Sequence, residues 1–215
     1  MHQKKIVGGG LPLKAASRAL IMLHGRGADA QDILSLASHL QTSQFALLAP
    51  EATNHSWYPY SFLAPRYQNE PWLSSALDLL DGVVEEITDT GIPAESIFFL
   101  GFSQGACLSL EYTTSHARRW GGVVAFTGGL IGDKIYAENY KGNFAGTPVF
   151  IGSSDPDPHV PVERVQATTA LLIQAGASVT EKIYRQMGHT INEDEIKHAN
   201  IVLSGQQPSP GHQAS

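Results

Sequence analysis

The chain consists of short apolar runs that alternate with longer segments of helical periodicity. A run of four to eight apolar residues between turn signals is typical of a strand that is buried on both faces of a parallel sheet. Six runs fit this description and predict six strands: Ala19–Leu23, Phe45–Ala49, Ile97–Leu100, Gly122–Phe126, Pro148–Ile151 and Val179–Tyr184.

The segments between these runs place apolar residues three or four positions apart, which is the spacing of an amphipathic helix. Strands that alternate with helices indicate βαβ units, and therefore an α/β protein with a mostly parallel central sheet and helices on both faces. The stretch GGGLP, residues 8–12, indicates a hairpin or an edge strand before the first central strand. Five helices are predicted: Asp29–Leu40, Pro71–Thr90, Gln104–Arg118, Val162–Ala175 and Glu193–Leu203.

Composition and charge narrow the possible partners. The 215 residues are enough for one substantial core, and the 42% hydrophobic and 16% charged residues are typical of a globular protein. The formal net charge of -6, without a long basic run, argues against nucleic acid and anionic membranes as partners. Cys107 is the single cysteine, so no intrachain disulfide can form, which fits a reducing compartment.

The N-terminal sequence MHQKKIVGGG is a poor signal peptide, because no apolar core follows its two lysines. No apolar run approaches the roughly 20 residues needed to span a bilayer. We therefore expect a cytoplasmic protein without stable membrane insertion; a mature form that has lost its signal peptide is the alternative. A single domain is predicted over residues 1–204, followed by a polar, mobile tail over residues 205–215.

The segment FFLGFSQGACLSL, Phe98–Leu110, places a serine between two glycines where one apolar run ends and another begins. Gly-x-Ser-x-Gly at a strand-to-helix junction is the pattern of a nucleophile elbow, whose sharp turn strains the serine backbone. Gly101 and Gly105 supply room for the turn, and the following helix N-terminus favours developing negative charge. We interpret Ser103 as a nucleophile; a glycine-rich turn with an N-cap serine is the alternative.

A serine hydroxyl is a weak nucleophile until a base accepts its proton. The base should follow a later strand, because ligands of parallel sheets bind beyond the carboxyl ends of the strands. His189, in YRQMGHTINEDEI, meets this requirement, and Asn192 with Glu195 forms a capping-box-like pair that would anchor its loop. His189 is therefore the predicted base.

The carboxylate that orients the base should lie between the serine and the histidine in the chain. The stretch GSSDPDPHVP offers Asp155 and Asp157, both shortly after the strand Pro148–Ile151. With His159 they form an Asp-x-Asp-x-His pattern that also resembles a small metal site. We predict no metal, because the prolines stiffen the segment and no carboxylate-rich continuation completes a coordination shell.

The first central strand is followed by HGRGAD, whose glycines permit a tight turn. A backbone amide there, at Arg26, could face the nucleophile and form an oxyanion hole together with the amide of Gln104. A phosphate-binding glycine loop is the alternative. It is disfavoured, because the sequence contains neither Gly-x-Gly-x-x-Gly nor a Gly-Lys-Ser/Thr element.

Four motifs in this order resemble the phospholipase/carboxylesterase group of the α/β-hydrolase superfamily, which includes the acyl-protein thioesterases: LHGRGAD, GFSQGA, DPHVP and MGHTI. The resemblance runs from about Gly8 to Leu203. It implies an α/β-hydrolase fold, with Ser103 as the nucleophile, His189 as the base and an aspartate as the third member of the triad. Family members are often dimers, which makes a homodimer possible here.

The same resemblance implies that the main-chain amides of Arg26 and Gln104 are the oxyanion donors. The family usually carries its aspartate directly before Pro-x-Val-Pro, which maps onto Asp157. The chain departs from the family where members often have His-Gly-x-x-Asp, because it reads Ile-Gly-Ser-Ser-Asp and so points to Asp155. We favour Asp157, since Pro-x-Val-Pro opens the next helix and fixes the geometry.

The stretch HSWYPYSFLAP is similar to a Ser-Trp-Tyr segment near the acyl site of this family. Its aromatic residues are too dense for an ordinary solvated loop. We expect them to wall an apolar substrate pocket, and a cluster that caps the core is the alternative. Cys107, one helical turn after Ser103, is predicted to be a core residue. The predicted pocket residues are Trp57, Tyr58, Phe102 and Leu130, with Tyr60 and Phe62 in the same segment.

These residues together predict a serine hydrolase that cleaves small-molecule carboxylic esters or thioesters through an acyl-enzyme and needs no cofactor. Two alternatives stay open. One is a dienelactone-hydrolase-like or lysophospholipase activity on the same scaffold. The other is a non-catalytic binding protein with this fold, which an intact Ser/Asp/His set disfavours.

Overall fold

The computed structural model describes residues 1–205, and most of the predicted tail, residues 206–215, lies outside the described residues. Seven strands form one sheet in the order β1-β3-β2-β4-β5-β6-β7. β1 runs antiparallel to β3, and all other neighbouring strands are parallel. The strands are β1 Ile6–Gly10, β2 Arg18–Leu23, β3 Phe45–Pro50, β4 Ile97–Phe102, β5 Gly122–Phe126, β6 Pro148–Asp155 and β7 Ser178–Arg185.

Five α-helices connect or follow these strands: α1 Ala30–Ser35, α2 Trp72–Asp89, α3 Gln104–Ser115, α4 Val162–Gln174 and α5 Glu193–Ser204. All five predicted helices are therefore present. The first is shorter than predicted, because the chain tightens from α geometry into a 3₁₀ helix over Leu36–His39. Within residues 1–205, no helix is both long and apolar enough to cross a membrane.

Alternate residues of β2 enter two different hydrophobic layers, because successive strand side chains point to opposite faces of a sheet. Ala19, Ile21 and Leu23 pack in the larger layer with α2, α3 and α4. Leu20 and Met22 pack in the smaller layer with α1 and α5. Helices therefore cover both faces, as predicted, and the central strands are mainly apolar because both of their faces are buried.

The edges of the sheet differ from its centre. β1 is an edge strand paired only with β3, so of the two predicted possibilities the edge strand is the one present. β7 forms the other edge, and its residues are half-buried or exposed along its whole length. The expectation that every predicted strand is fully buried is therefore wrong for β7.

The parallel strands bring their carboxyl ends to one edge of the sheet, which is where ligands of such sheets bind. The segments that follow β2, β4, β6 and β7 carry Arg26, Ser103, Asp157 and His189, respectively. α3 starts at this edge and passes through the interior, with all residues of Gln104–Thr114 buried.

Candidate active site

Ser103 lies in the turn between β4 and α3 with φ 54° and ψ -117°, a conformation that a non-glycine residue rarely adopts. Its neighbours leave no room for larger side chains. A Cβ on Gly101 would lie 2.3 Å from the carbonyl oxygen of Gly105, and one on Gly105 would lie 2.1 Å from that of Leu23. The two glycines of the motif are therefore required by close backbone contacts on both sides of the serine.

The side chain of Ser103 is hydrogen-bonded to a histidine from a distant part of the chain. Its Oγ lies 2.8 Å from Nε2 of His189, which follows β7. The other ring nitrogen, Nδ1, lies 2.8 Å from Oδ2 of Asp157. An ionised carboxylate can only accept, so Nδ1 of a neutral imidazole carries the proton and Nε2 is left to accept one from Ser103.

The Asp157 side chain is fully buried from solvent. Its second oxygen, Oδ1, accepts hydrogen bonds from the backbone amides of His159 at 2.8 Å and Val160 at 2.9 Å. Burial raises the pKa of this carboxyl, but the hydrogen bonds from His189 and the two amides outweigh burial and hold its pKa below the ordinary value. The carboxylate is therefore ionised at neutral pH and available to the imidazole.

Asp155, the other candidate, is the exposed last residue of β6. Only its main chain contributes to this region, through a 3.0 Å hydrogen bond from the amide of Gln186 to its carbonyl oxygen. The carboxylate bonded to His189 thus belongs to Asp157.

The loop that carries His189 is anchored at both ends. Before the histidine, the amide of Gly188 donates to Oγ of Ser154 at 3.0 Å. After it, Asn192 and Glu195 form a full capping box at the start of α5, with both bonds at 2.9 Å. These hydrogen bonds hold the loop on both sides of the imidazole.

The two predicted oxyanion residues flank the turn. Gln104 is the first residue of α3, so its amide has no acceptor within the helix. Arg26 lies in the turn after β2, where Gly27 and Ala28 donate to backbone carbonyls. No hydrogen bond from the Arg26 amide to another residue is found in the described part of the chain. Both amides are therefore available to a ligand.

A cleft of about 650 Å³ opens above Ser103 and His189. Two of the four predicted pocket residues, Tyr58 and Phe102, line it. The other two, Trp57 and Leu130, are not among the residues that line it. Tyr60, Phe62 and Val160 also contribute to its apolar wall.

Trp57 and Leu130 are both fully buried in the core. The indole Nε1 of Trp57 donates to the carbonyl oxygen of His24 at 2.9 Å, and its ring packs against the rings of His2 and His24. The amide of Leu130 donates to Oγ1 of Thr168 in α4 at 3.0 Å. Their side chains are therefore used for packing beneath the cleft, so the core-capping alternative applies to Trp57.

Sequence reasoning missed three features of the site. His159 lines the cleft and packs edge-on against the ring of His189, with centroids 5.0 Å apart. The only signal for it was the Asp-x-Asp-x-His pattern. The side chains of Arg26 and Gln104 both reach the carbonyl oxygen of Tyr58, whereas the sequence had suggested roles only for their amides.

Two alternative chemistries find little support among residues 1–205. No group of three or more His, Cys, Asp and Glu side chains there could hold a metal ion. Cys107 lies at the inner wall of the cleft but is buried, and burial raises the pKa of its thiol to about 12. The thiol stays protonated at neutral pH and is a poor nucleophile.

A mainly parallel sheet that presents a serine on a strained strand-to-helix turn places the chain among the α/β-hydrolases. Comparison with known proteins narrows this class. The model of the family described as phospholipase/carboxylesterase matches residues 10–204. The crystal structure of the phospholipase/carboxylesterase from Dyadobacter fermentans DSM 18053 is 54% identical with a TM-score of 0.93, and the match covers 94% of this chain and 97% of that one.

Curated relatives agree with this result. Acyl-protein thioesterase 1 of Kluyveromyces lactis is 30% identical over 88% of this chain and 92% of that protein. Acyl-protein thioesterase 1 of Gibberella zeae is 32% identical over 59% of this chain and 54% of that protein. The chain belongs to the phospholipase/carboxylesterase family, and it is a carboxylic ester hydrolase.

Proposed function

We propose that the protein cleaves small-molecule carboxylic esters or thioesters through an acyl-enzyme formed on Ser103. The observation that carries the proposal is the continuous hydrogen-bond chain from Ser103 Oγ through His189 to Asp157, with both bonds at 2.8 Å. Nucleophile, base and orienting carboxylate in this arrangement are the parts needed for acyl transfer.

In the first half-reaction, Oγ of Ser103 attacks the carbonyl carbon while Nε2 of His189 accepts its proton. The imidazolium that forms is stabilised by the ionised Asp157. The carbonyl oxygen becomes an oxyanion, which the amides of Arg26 and Gln104 bind. His189 then returns the proton to the departing alcohol or thiol, which leaves the acyl group on the serine.

In the second half-reaction, His189 takes a proton from water, and the resulting hydroxide attacks the acyl-enzyme. The same two amides bind the second oxyanion, and His189 returns its proton to Oγ of Ser103 as the bond to the acyl carbon breaks and the carboxylic acid departs. These steps use only groups of this chain, the substrate and water. The apolar wall of Tyr58, Tyr60 and Phe62 favours an uncharged acyl or leaving group next to the serine.

The decisive experiment replaces Ser103 by Ala and measures hydrolysis of p-nitrophenyl acetate and butyrate, together with labelling by a fluorophosphonate probe. We expect kcat to fall by about 10⁴-fold or more and labelling to be lost, because no other group takes the role of the nucleophile. Undiminished turnover in folded Ser103→Ala protein would rule out the proposal.

Ser109→Ala is a matched control on the same helix. Oγ of Ser109 is buried and has no hydrogen-bond partner among the described residues, so its removal should leave folding and kcat nearly unchanged. Rates on a matched ester and thioester of the same acyl group, and on a series of acyl lengths, give the substrate preference. The homodimer and the cytoplasmic location stay predictions.

A further inference from the structure

One carbonyl group connects the two residues whose amides are assigned to the oxyanion hole. The carbonyl oxygen of Tyr58 accepts a 2.8 Å hydrogen bond from Nη2 of Arg26 and another of 2.8 Å from Nε2 of Gln104. Arg26 comes from the loop after β2, and Gln104 comes from the start of α3. Two distant parts of the chain are thus joined through a third.

Each side chain also contacts further main-chain atoms of the same segment. Arg26 donates to the carbonyl oxygens of Pro59 at 2.9 Å and Tyr60 at 2.7 Å. Oε1 of Gln104 accepts from the amide of Trp57 at 2.9 Å. We call residues 57–60 the bridging segment, because its backbone is held between the two side chains.

The charge of Arg26 is directed at this backbone. No carboxylate of residues 1–205 lies within salt-bridge distance of its guanidinium group. The Gln104 side chain is almost fully buried, so water competes little for its hydrogen bonds. Such bonds therefore fix relative positions more firmly than exposed polar contacts do.

The loop of Arg26 needs this support more than Gln104 does. Arg26 itself is exposed and is flanked by Gly25 and by Gly27, which has φ +81°, so no bulky neighbouring side chain restricts its backbone. The Gln104 amide, in contrast, belongs to a buried helix. An oxyanion hole needs donors placed to within a few tenths of an ångström, and a displacement of about 1 Å can cost 10²-fold in rate.

We propose that the side chains of Arg26 and Gln104 are positioning residues, which set the spacing of the two oxyanion amides through the shared carbonyl of Tyr58. This inference rests on the proposed function. It assigns to these residues a second role, carried by the side chain and separable from the amide. A substitution changes the side chain alone, so the backbone donor is present in every variant and only its position can change.

The test uses Arg26→Met, Gln104→Met and the double variant, compared by kcat, KM and the inhibition constant of a trifluoromethyl ketone. The tetrahedral adduct that this ketone forms on Ser103 places an oxyanion in the oxyanion hole. We expect kcat to fall about 10-fold in each single variant, with KM within about 3-fold. Inhibitor affinity should fall by the same factor as kcat/KM.

The double variant tests whether the two side chains act through one link. If they do, breaking either bond breaks the link, and the double variant loses little more than the more severe single one. Losses that multiply to about 100-fold would mean that the two side chains act independently and would overturn the proposal. So would single variants that keep the wild-type kcat and inhibitor affinity.

Two conservative variants cover the case in which a Met variant does not fold. Gln104→Glu keeps an acceptor for the amide of Trp57 but loses the donor to Tyr58, so it should lose as much kcat as Gln104→Met. Arg26→Lys keeps one donor and should recover part of the loss in Arg26→Met. Full activity in Gln104→Glu would contradict the role of the shared carbonyl.

Asn69→Ala is the matched control, because Asn69 holds the next part of the same segment. Its side chain accepts from the amide of Tyr60 at 2.9 Å and donates to the carbonyl of Ser61 at 3.0 Å, without contacting Arg26 or Gln104. It should lower Tm and raise KM while kcat changes less than about 3-fold. An equal fall of kcat in this control would mean that the Arg26 and Gln104 variants act through a general loosening of the segment, and it would overturn the proposal. Turnover by wild type and its loss in Ser103→Ala establish the proposed function separately.

Discussion

The turn at Ser103 and residues 58–62 of the aromatic segment Trp57–Phe62 line the same cleft, yet they are held in different ways. Direct backbone contacts hold the turn. Gly101 and Gly105 pack so closely against main-chain atoms that a Cβ at either position would overlap with them. Hydrogen bonds from side chains far along the chain hold the segment, including those of Arg26.

Because of this difference, we expect the turn to affect the chemical step and the aromatic segment to affect substrate specificity. A turn fixed by backbone contact can hardly vary, because each added atom would collide with the main chain. A segment fixed by side-chain hydrogen bonds can change its aromatic residues as long as the backbone carbonyls stay in place. We expect substitutions on the turn side to act on kcat or on folding, and those on the segment side to act on KM or stability.

The largest expected effect belongs to the catalytic side. Asp157→Asn removes the charge that stabilises the imidazolium and the acceptor that sets its tautomer, so kcat should fall by about 10³- to 10⁴-fold with little change in KM. Asp155→Asn is the matched control and should keep kcat within about 3-fold, because Asp155 lies at the exposed end of β6. Steady-state kinetics decide between the two, and the reverse result would transfer the role to Asp155.

The next effect tests the backbone contacts of the turn. Gly105→Ala would place a Cβ 2.1 Å from the carbonyl oxygen of Leu23. We therefore expect the free energy of unfolding to fall by about 3 kcal/mol or more and Tm to fall by about 10 °C. Gly82→Ala in α2 is the control. Nothing lies within 4 Å of a Cβ there, and the change should stabilise by about 0.5 kcal/mol. Tolerance of Gly105→Ala in thermal unfolding would break the comparison.

The histidine loop adds a smaller, pH-dependent effect. Burial raises the pKa of Glu195 to about 7, against the hydrogen bond from the Asn192 amide, and nearby Asp194 adds to the rise. A raised carboxyl pKa stabilises the folded state fully below pH 4.5, and this contribution is lost as pH rises through about 7. Between pH 5 and pH 8 the loss is about 2 kcal/mol.

Glu195→Gln keeps the size of the side chain and the acceptor for the Asn192 amide but cannot ionise. Its free energy of unfolding should therefore change less between pH 5 and pH 8 than that of wild type, as measured by urea denaturation. An unchanged pH dependence would show that Glu195 is not the group responsible.

The smallest effects compare neighbours within the aromatic segment. Trp57→Phe removes the hydrogen bond to His24 and should cost about 1.5 kcal/mol of stability, with kcat and KM unchanged. Tyr60 is 58% exposed on the cleft wall, so Tyr60→Ala should raise KM by about 3-fold without lowering Tm. The opposite pattern, a KM effect for Trp57 and a Tm effect for Tyr60, would restore the pocket role predicted for Trp57.

Much of the fold was predictable, because the apolar runs and the helical spacing report burial directly. The helix after His189 could be placed to within a residue from Asn192 and Glu195, since a capping box is a local interaction. The edge position of β7 could not be predicted in this way. The sequence run that predicts β7 resembles a buried strand, but whether a strand has one neighbour or two depends on the order of the strands in the sheet.

The aromatic segment shows that sequence patterns likewise cannot predict which individual residues line the cleft. Trp57 and Tyr58 are adjacent and similar in character, yet only Tyr58 lines the cleft. Which of two neighbouring rings faces the cleft depends on how the backbone between them is held. Here it is held by Arg26 and Gln104, whose distance along the chain gives no signal of the contact.

The sequence alone determined the turn at Ser103 and the candidates for its base and carboxylate. The reason is that the small residues of the turn, the ends of the strands and the order of the three residues can all be identified from the sequence. Tertiary structure decided which aspartate bonds to His189 and which aromatic rings line the cleft. It also decided that the side chains of Arg26 and Gln104, the two predicted oxyanion residues, share the carbonyl of Tyr58. These outcomes depend on distances between groups that are remote in the chain, and only the packing of the sheet and helices sets those distances.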